Sequence, residues 1–137
     1  MKSLIEKALF LKKLRLFNEL ELESLLAIAE KLHEDEYDAG EKIFVVGQVA
    51  NRIYLIGAGS VQLFDERMKL LTELAAPDYF GDEAIFNENP RAYSAVCKTD
   101  GILLSLSRSH LLSTISECPS VAVSLLQSYA HRQPCRH

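Results

Sequence analysis

The hydrophobic positions of this chain change rhythm twice. Between residues 2 and 16 apolar groups recur at helical spacing, with Leu4/Ile5, Ala8/Leu9 and Leu16 facing inward and Lys12 outward. Asn18 interrupts the pattern and is expected to cap the next element. Leu22, Leu25, Leu26, Ala29 and Leu32 then mark an amphipathic helix with glutamates on its outer face. The acid-rich HEDEYDAGE reads as the solvated end and turn of that helix.

After Gly40 the period shortens. KIFVVG, RIYLIG, SVQLFD, KLLTEL, YSAVCK and ILLSLS are short, rich in β-branched and aromatic residues, and separated by turn-forming residues. Short strands at this spacing, with no long helices between them, predict an antiparallel, jelly-roll-like β-roll rather than a doubly wound sheet. From Ser109 the helical period returns. Leu111, Leu112 and Ile115 form one short element, and Pro119 suits the first turn of the next. Val121, Leu125 and Tyr129 continue that final helix, which Pro134 stops. The expected architecture is one mostly-β domain over 1–137: helices over 1–36, a β-roll over 37–107 and helices over 108–137.

Composition narrows the function. A hydrophobic fraction of 48% and a charged fraction of 25% are those of an ordinary globular domain. The net charge of −4 argues against a dedicated nucleic-acid binder, and the chain carries no DNA-binding motif. No run is long enough to span a membrane, and the N-terminus lacks the uninterrupted apolar core of a signal peptide. Cys97, Cys118 and Cys135 form no C-x-x-C pair, which suggests a reducing compartment and makes the cytoplasm the default location. His33, His110, His131 and His137 are not clustered on strands as a metal site would require. No nucleophile–base pair stands out either, so an enzyme is not expected and no cofactor or metal is implied.

One segment carries chemistry. GDEAIFNENPRAYSA, residues 81–95, sets a glycine-led acidic turn before a Pro-Arg, between two stretches of strand. A short helix over Asp82–Phe86 would expose backbone N–H groups at its start, which suit an anion. Gly81 lets the backbone approach a ligand closely. Arg91 supplies a permanent charge and a planar fork that matches two phosphate oxygens. Asp82 could accept from a sugar hydroxyl. Read from the residues alone, the ligand is a phosphorylated sugar or nucleotide. The bland alternative makes Asp82 a helix N-cap and Arg91 a surface salt-bridge residue. Even as a phosphate ligand, Arg91 is expected to be an exposed loop arginine that contributes little to the ligand-free fold.

FGDEAIFNENPRAYSA also resembles the phosphate-binding cassette of the cyclic nucleotide-binding domain family, which reads roughly F-G-E-x-A-L, a variable turn, then P-R-x-A. AGEKIFVVGQVANRIYLIGAGSVQLF is similar to the family's glycine-punctuated β-roll, and FLKKLRLFNELELESLLAIAEKL to its leading helices. The resemblance implies a cassette over 80–95 with a short helix. In it Gly81, Ala84 and Ala92 would offer backbone amides, Asp82 (or Glu83) would take the ribose and Arg91 the phosphate. Asp82 stands where the family has glutamate, one methylene and roughly 1.5 Å shorter. Ala92 stands where cGMP-preferring relatives often carry threonine, which favours cAMP. Tyr129 is a candidate lid over the base. The implied role is a cyclic nucleotide sensor passing occupancy through helices 109–132 to a partner protein or attached effector domain, with a homodimer left open. The competing role is a docking module of the same fold that binds no nucleotide. Any DNA-binding, kinase or channel output would need sequence beyond residue 137.

Overall fold

The computed structural model describes residues 2–82 and 89–132, with the side chains of 128, 129, 131 and 132 excepted. Two compact units emerge, residues 33–108 and residues 1–32 together with 109–137.

The first unit is the β-roll. Its strands are β1 (His33–Tyr37), β2 (Lys42–Phe44), β3 (Arg52–Ala58), β4 (Ser60–Phe64), β5 (Leu70–Ala75), β6 (Asp78–Phe80), β7 (Ser94–Cys97) and β8 (Gly101–Ser107). They pair antiparallel in two four-stranded sheets, ordered β1-β8-β3-β6 and β2-β7-β4-β5. The core is built from both sheets: Phe44, Val61, Leu63, Ala95 and Cys97 from one, Ile56, Phe80 and Leu103 from the other. Alternation places these residues. In β4, Val61 and Leu63 are buried while Ser60, Gln62 and Phe64 are half-exposed, as a strand with one covered face requires.

Two strands escape the sequence pattern. HEDEY is not the end of a helix but β1, so the roll begins at His33 rather than residue 37. It is an edge strand on β8, with Glu34 opposite Leu104 and Glu36 opposite Ile102. Its carboxylates belong on such an edge, where charge discourages pairing with other chains. Only Tyr37 packs onto the core. The other is β6, three residues long, whose Tyr79 and Phe80 pair with Leu55 and Tyr54 of β3.

The second unit contains α1 (Leu4–Lys12), α2 (Leu22–Ala29), α3 (Arg108–Glu117) and α4 (Ser120–Arg132), with Arg108 itself counted in the roll. Ser3 and Glu6 form a capping box at α1: Ser3 Oγ accepts from the Glu6 amide at 3.2 Å, and Glu6 Oε1 from the Ser3 amide at 3.0 Å. The Ser3 amide first, and then the Ser3 hydroxyl, hold the Glu6 carboxyl below its usual pKa by hydrogen bonding. Ala8 and Leu11 face inward, but Leu4, Ile5 and Leu9 are exposed, contrary to the spacing. Phe10 takes their place in the core at 5% exposure. Asn18 does not cap α2, whose N-cap position is Glu21 with no side-chain bond. In α4, Val121 and Leu125 are buried, and Ser124 Oγ donates to the Leu16 carbonyl at 2.9 Å. No described helix is long and apolar enough to cross a membrane.

Candidate functional site

The chemistry of the roll gathers where β6 ends and β7 begins. Gly81 follows β6 with φ +80°, a conformation that an L side chain rarely adopts. A Cβ at this position would lie 3.0 Å from Arg91 Nη1 and 3.3 Å from the Arg52 carbonyl oxygen. The glycine is therefore required twice, for its backbone angle and for the arginine packed against it.

Arg91 is not an exposed loop residue. It retains only 3% of its surface, which overturns the expectation of an exposed loop arginine. Nη1 donates to the Gly81 carbonyl at 3.2 Å and Nη2 to the Arg52 carbonyl at 2.6 Å. The guanidinium carbon lies 4.1 Å from the centre of the Phe44 ring and 6.0 Å from that of Tyr54, within cation–π range. Phe44, Tyr54, Phe80 and Tyr93 form one aromatic floor, with ring centres 5.4–5.9 Å apart and Tyr54 stacked on Phe80. The backbone of Arg91 is fixed as well. Its amide donates to the Gln48 carbonyl at 2.7 Å, and its carbonyl accepts from the Gly47 amide at 2.8 Å.

Of the other candidates, Asp82 is 3% exposed beside Gly81, and Ala92 is exposed on the far side of Arg91. Glu83, Ala84 and the expected short helix at 82–86 lie outside the described residues, apart from Asp82 itself, as does the side chain of Tyr129. The Gly81 amide, expected to serve a ligand, donates to Tyr93 Oη at 3.0 Å. Tyr93, Phe44, Tyr54 and Phe80 were missed as site residues. Only the aromatic that follows Arg91 in R-A-Y gave a local signal, and it reads equally well as ordinary strand.

A recess of about 360 Å³ elsewhere in the roll is lined by Glu36, Tyr37, Asp38, Ala58, Asp100, Gly101 and Ile102. Its carboxylates would repel a phosphate. Burial pushes the neighbouring Tyr37 hydroxyl up to about 12, and likewise the Cys97 thiol to about 11. Cys97 is a core residue, 2% exposed. In the helical unit, hydrogen bonding of Cys118 Sγ with the Ser120 and Ser24 hydroxyls lowers that thiol's pKa.

Two four-stranded antiparallel sheets with helices before and after them define the class as a helix-flanked β-roll. The model of the cyclic nucleotide-binding domain matches residues 34–118, and the chain belongs to that family. It is 31% identical over 121 residues to a CRP-like cAMP-activated global transcriptional regulator of Mycobacterium tuberculosis, covering 85% of this chain and 54% of that one. A cAMP-dependent protein kinase regulatory subunit of Debaryomyces hansenii is 30% identical over 119 residues, covering 87% of this chain and 25% of the relative. Among solved structures, the catabolite activator protein of Thermus thermophilus superposes with a TM-score of 0.79 at 31% identity, covering 88% of this chain and 58% of the other. The chain thus spans about half the length of the mycobacterial regulator and a quarter of the kinase subunit.

Proposed function

We propose that this domain is a sensor for a cyclic nucleotide, cAMP ahead of cGMP. Its roll holds the ligand, and residues 109–132 pass occupancy to a partner or effector domain. Arg91 faces the cyclic phosphate, Asp82 the ribose hydroxyl with Glu83 as its rival, and amides of Gly81, Ala84 and Ala92 complete the cradle. Tyr129 is the candidate lid over the base. Ala92 in place of threonine is the ground for preferring cAMP, a ground taken from the family resemblance. The observation that carries the reading is the burial of Arg91 to 3% exposure against Gly81. A fully charged guanidinium is costly to bury, and an anion site is a physical reason to retain one. Signal transfer follows only if ligand binds two arrangements of the helices unequally.

A second reading, a docking module without nucleotide, has its own support. Arg91 already donates to the Gly81 and Arg52 carbonyls, and the Gly81 amide already serves Tyr93. Asp82 is also a methylene shorter than the family's glutamate.

Calorimetric titration with cAMP and cGMP separates the two. The sensor reading expects heat with cAMP and weaker binding of cGMP. Linkage then adds about 2.7 kcal/mol of stability at a hundredfold excess over Kd, a rise of several degrees in Tm. Asp82→Glu should tighten cAMP roughly tenfold if the shorter carboxylate falls short of the ribose. That gain should vanish with 2′-deoxy-cAMP. A folded protein that shows neither heat nor a Tm shift at millimolar cAMP leaves the docking module as the function.

A further inference from the structure

We infer that Tyr93 is a positioning residue for Arg91, holding the Gly81 backbone so that its carbonyl meets the guanidinium. The inference rests on the sensor reading for its ligand arm alone.

The geometry links Tyr93 to Arg91 by two routes. The first runs through Gly81. A glycine at φ +80° has no side chain to limit its rotation, so its carbonyl direction must be fixed from outside. Tyr93 Oη accepts from the Gly81 N–H at 3.0 Å and anchors the peptide on the amino side of that glycine. On the carboxyl side, the Gly81 carbonyl then accepts from Arg91 Nη1 at 3.2 Å. The second route runs through Phe44, whose ring lies 5.4 Å from that of Tyr93 and 4.1 Å from the guanidinium carbon. Tyr93 is also tied to the strand that follows Arg91, since the next residue, Ser94, opens β7 and accepts from the Val46 amide at 3.1 Å. An arginine that must meet a phosphate with its fork in one plane gains from such support, because a loosely held guanidinium loses alignment on binding. Tyr93 itself need touch no ligand.

Tyr93→Phe isolates the hydroxyl, since the ring that packs on Phe44 is kept. In the full chain this variant should bind cAMP about threefold to tenfold more weakly. In an Arg91→Lys background, where no planar fork remains to be aligned, the same change should alter binding less than about twofold. An equal loss in both backgrounds would make Tyr93 a structural residue only and overturn the assignment. Unchanged or tighter binding of the single variant would overturn it too. A ligand-free measurement keeps the two proposals apart. Rotation of the Arg91 guanidinium about its Cζ–N bonds, followed by ¹⁵N NMR, should be faster in Tyr93→Phe than in the native chain. Should the native chain show no heat with cAMP, the sensor reading falls and this rotation rate alone decides. Faster rotation upholds Tyr93 as the positioning residue, and an unchanged rate rejects it.

Discussion

Arg91 and Lys98 flank β7, seven residues apart, and are cations of opposite fates. Arg91 is buried to 3% exposure on an aromatic floor, with two backbone carbonyls as acceptors. Lys98 projects from the surface, its side chain 49% exposed, and meets both oxygens of Glu73 at 3.1 Å. Water screens the second pair far more than the first. Lys98, whose carboxylate partner is itself exposed, is therefore the less consequential cation. Burial separates the two energetically.

The sharpest test replaces Arg91 with alanine. The Gly81 and Arg52 carbonyls each lose a donor, and a space opens above Phe44. Unfolding in urea should show a loss of about 2–4 kcal/mol even without ligand. On the proposed sensor reading, affinity for cAMP should fall by a further 2–5 kcal/mol, roughly thirtyfold or more, because the phosphate would then lose its charge partner. An apo fold as stable as the native one would return Arg91 to the status of a surface residue and erase the contrast with Lys98.

Gly81→Ala probes the same contact from the other side. The new methyl would stand 3.0 Å from Arg91 Nη1 in a backbone conformation that alanine resists. A cost of about 1–3 kcal/mol in chemical denaturation is expected. Serine, of similar bulk, should behave like alanine. A neutral alanine variant would mean that the chain can reposition Gly81 without disturbing Arg91.

How far the sequence revealed this contrast depends on the range of each signal. Strands β3, β4 and β8 were legible because their apolar residues report the buried face locally. β1 was not, since its acids mark an edge that exists only once β8 is beside it. The acidic-turn and Pro-Arg motif pointed to an anion site, but nothing in it told that Arg91, expected as an exposed loop residue, would be buried. The floor beneath that arginine comes from β2, β3, β6 and the approach to β7, so no local window contains it. Helix α1 failed differently. Leu4, Ile5 and Leu9 fit an inward stripe by period, but the buried face is set by Ala8, Phe10 and Leu11.

Cys97 extends the comparison to a buried group that does not carry charge. It directly precedes Lys98, and burial pushes its thiol from 9 up to about 11. Between those values the unfolded chain has released a proton that the folded one retains. Stability is therefore intact below pH 9 and falls as the pH rises toward 11. The loss should be on the order of 1 kcal/mol by pH 10. Tyr37, raised to about 12, should prolong the decline at higher pH. In Cys97→Ala the midpoint in urea should start lower because of the cavity, yet fall less steeply between pH 8 and 10. An identical slope in both proteins would show that the core does not resist ionisation at this position.

The smallest effect is expected at the surface. Lys98→Met removes a charge from an exposed pair while keeping most of the aliphatic stem. Glu73 is not left alone by the change, because Gln62 Nε2 still donates to its Oε1 at 3.3 Å. Gln62 and Glu73 are directly opposite one another on β4 and β5, so that bond needs no rearrangement. The pair with Lys98 competes with solvent at both ends, and holding two flexible side chains together costs entropy. A stability change below about 1 kcal/mol follows, and it should shrink further in molar salt, where the screening length drops to about 3 Å. Urea unfolding of the native chain and Lys98→Met at low and high salt measures both quantities. A loss above 2 kcal/mol that persists in high salt would mean that Glu73–Lys98 braces the β4–β5–β7 sheet as firmly as Arg91 braces its glycine, and exposure would no longer separate the two cations.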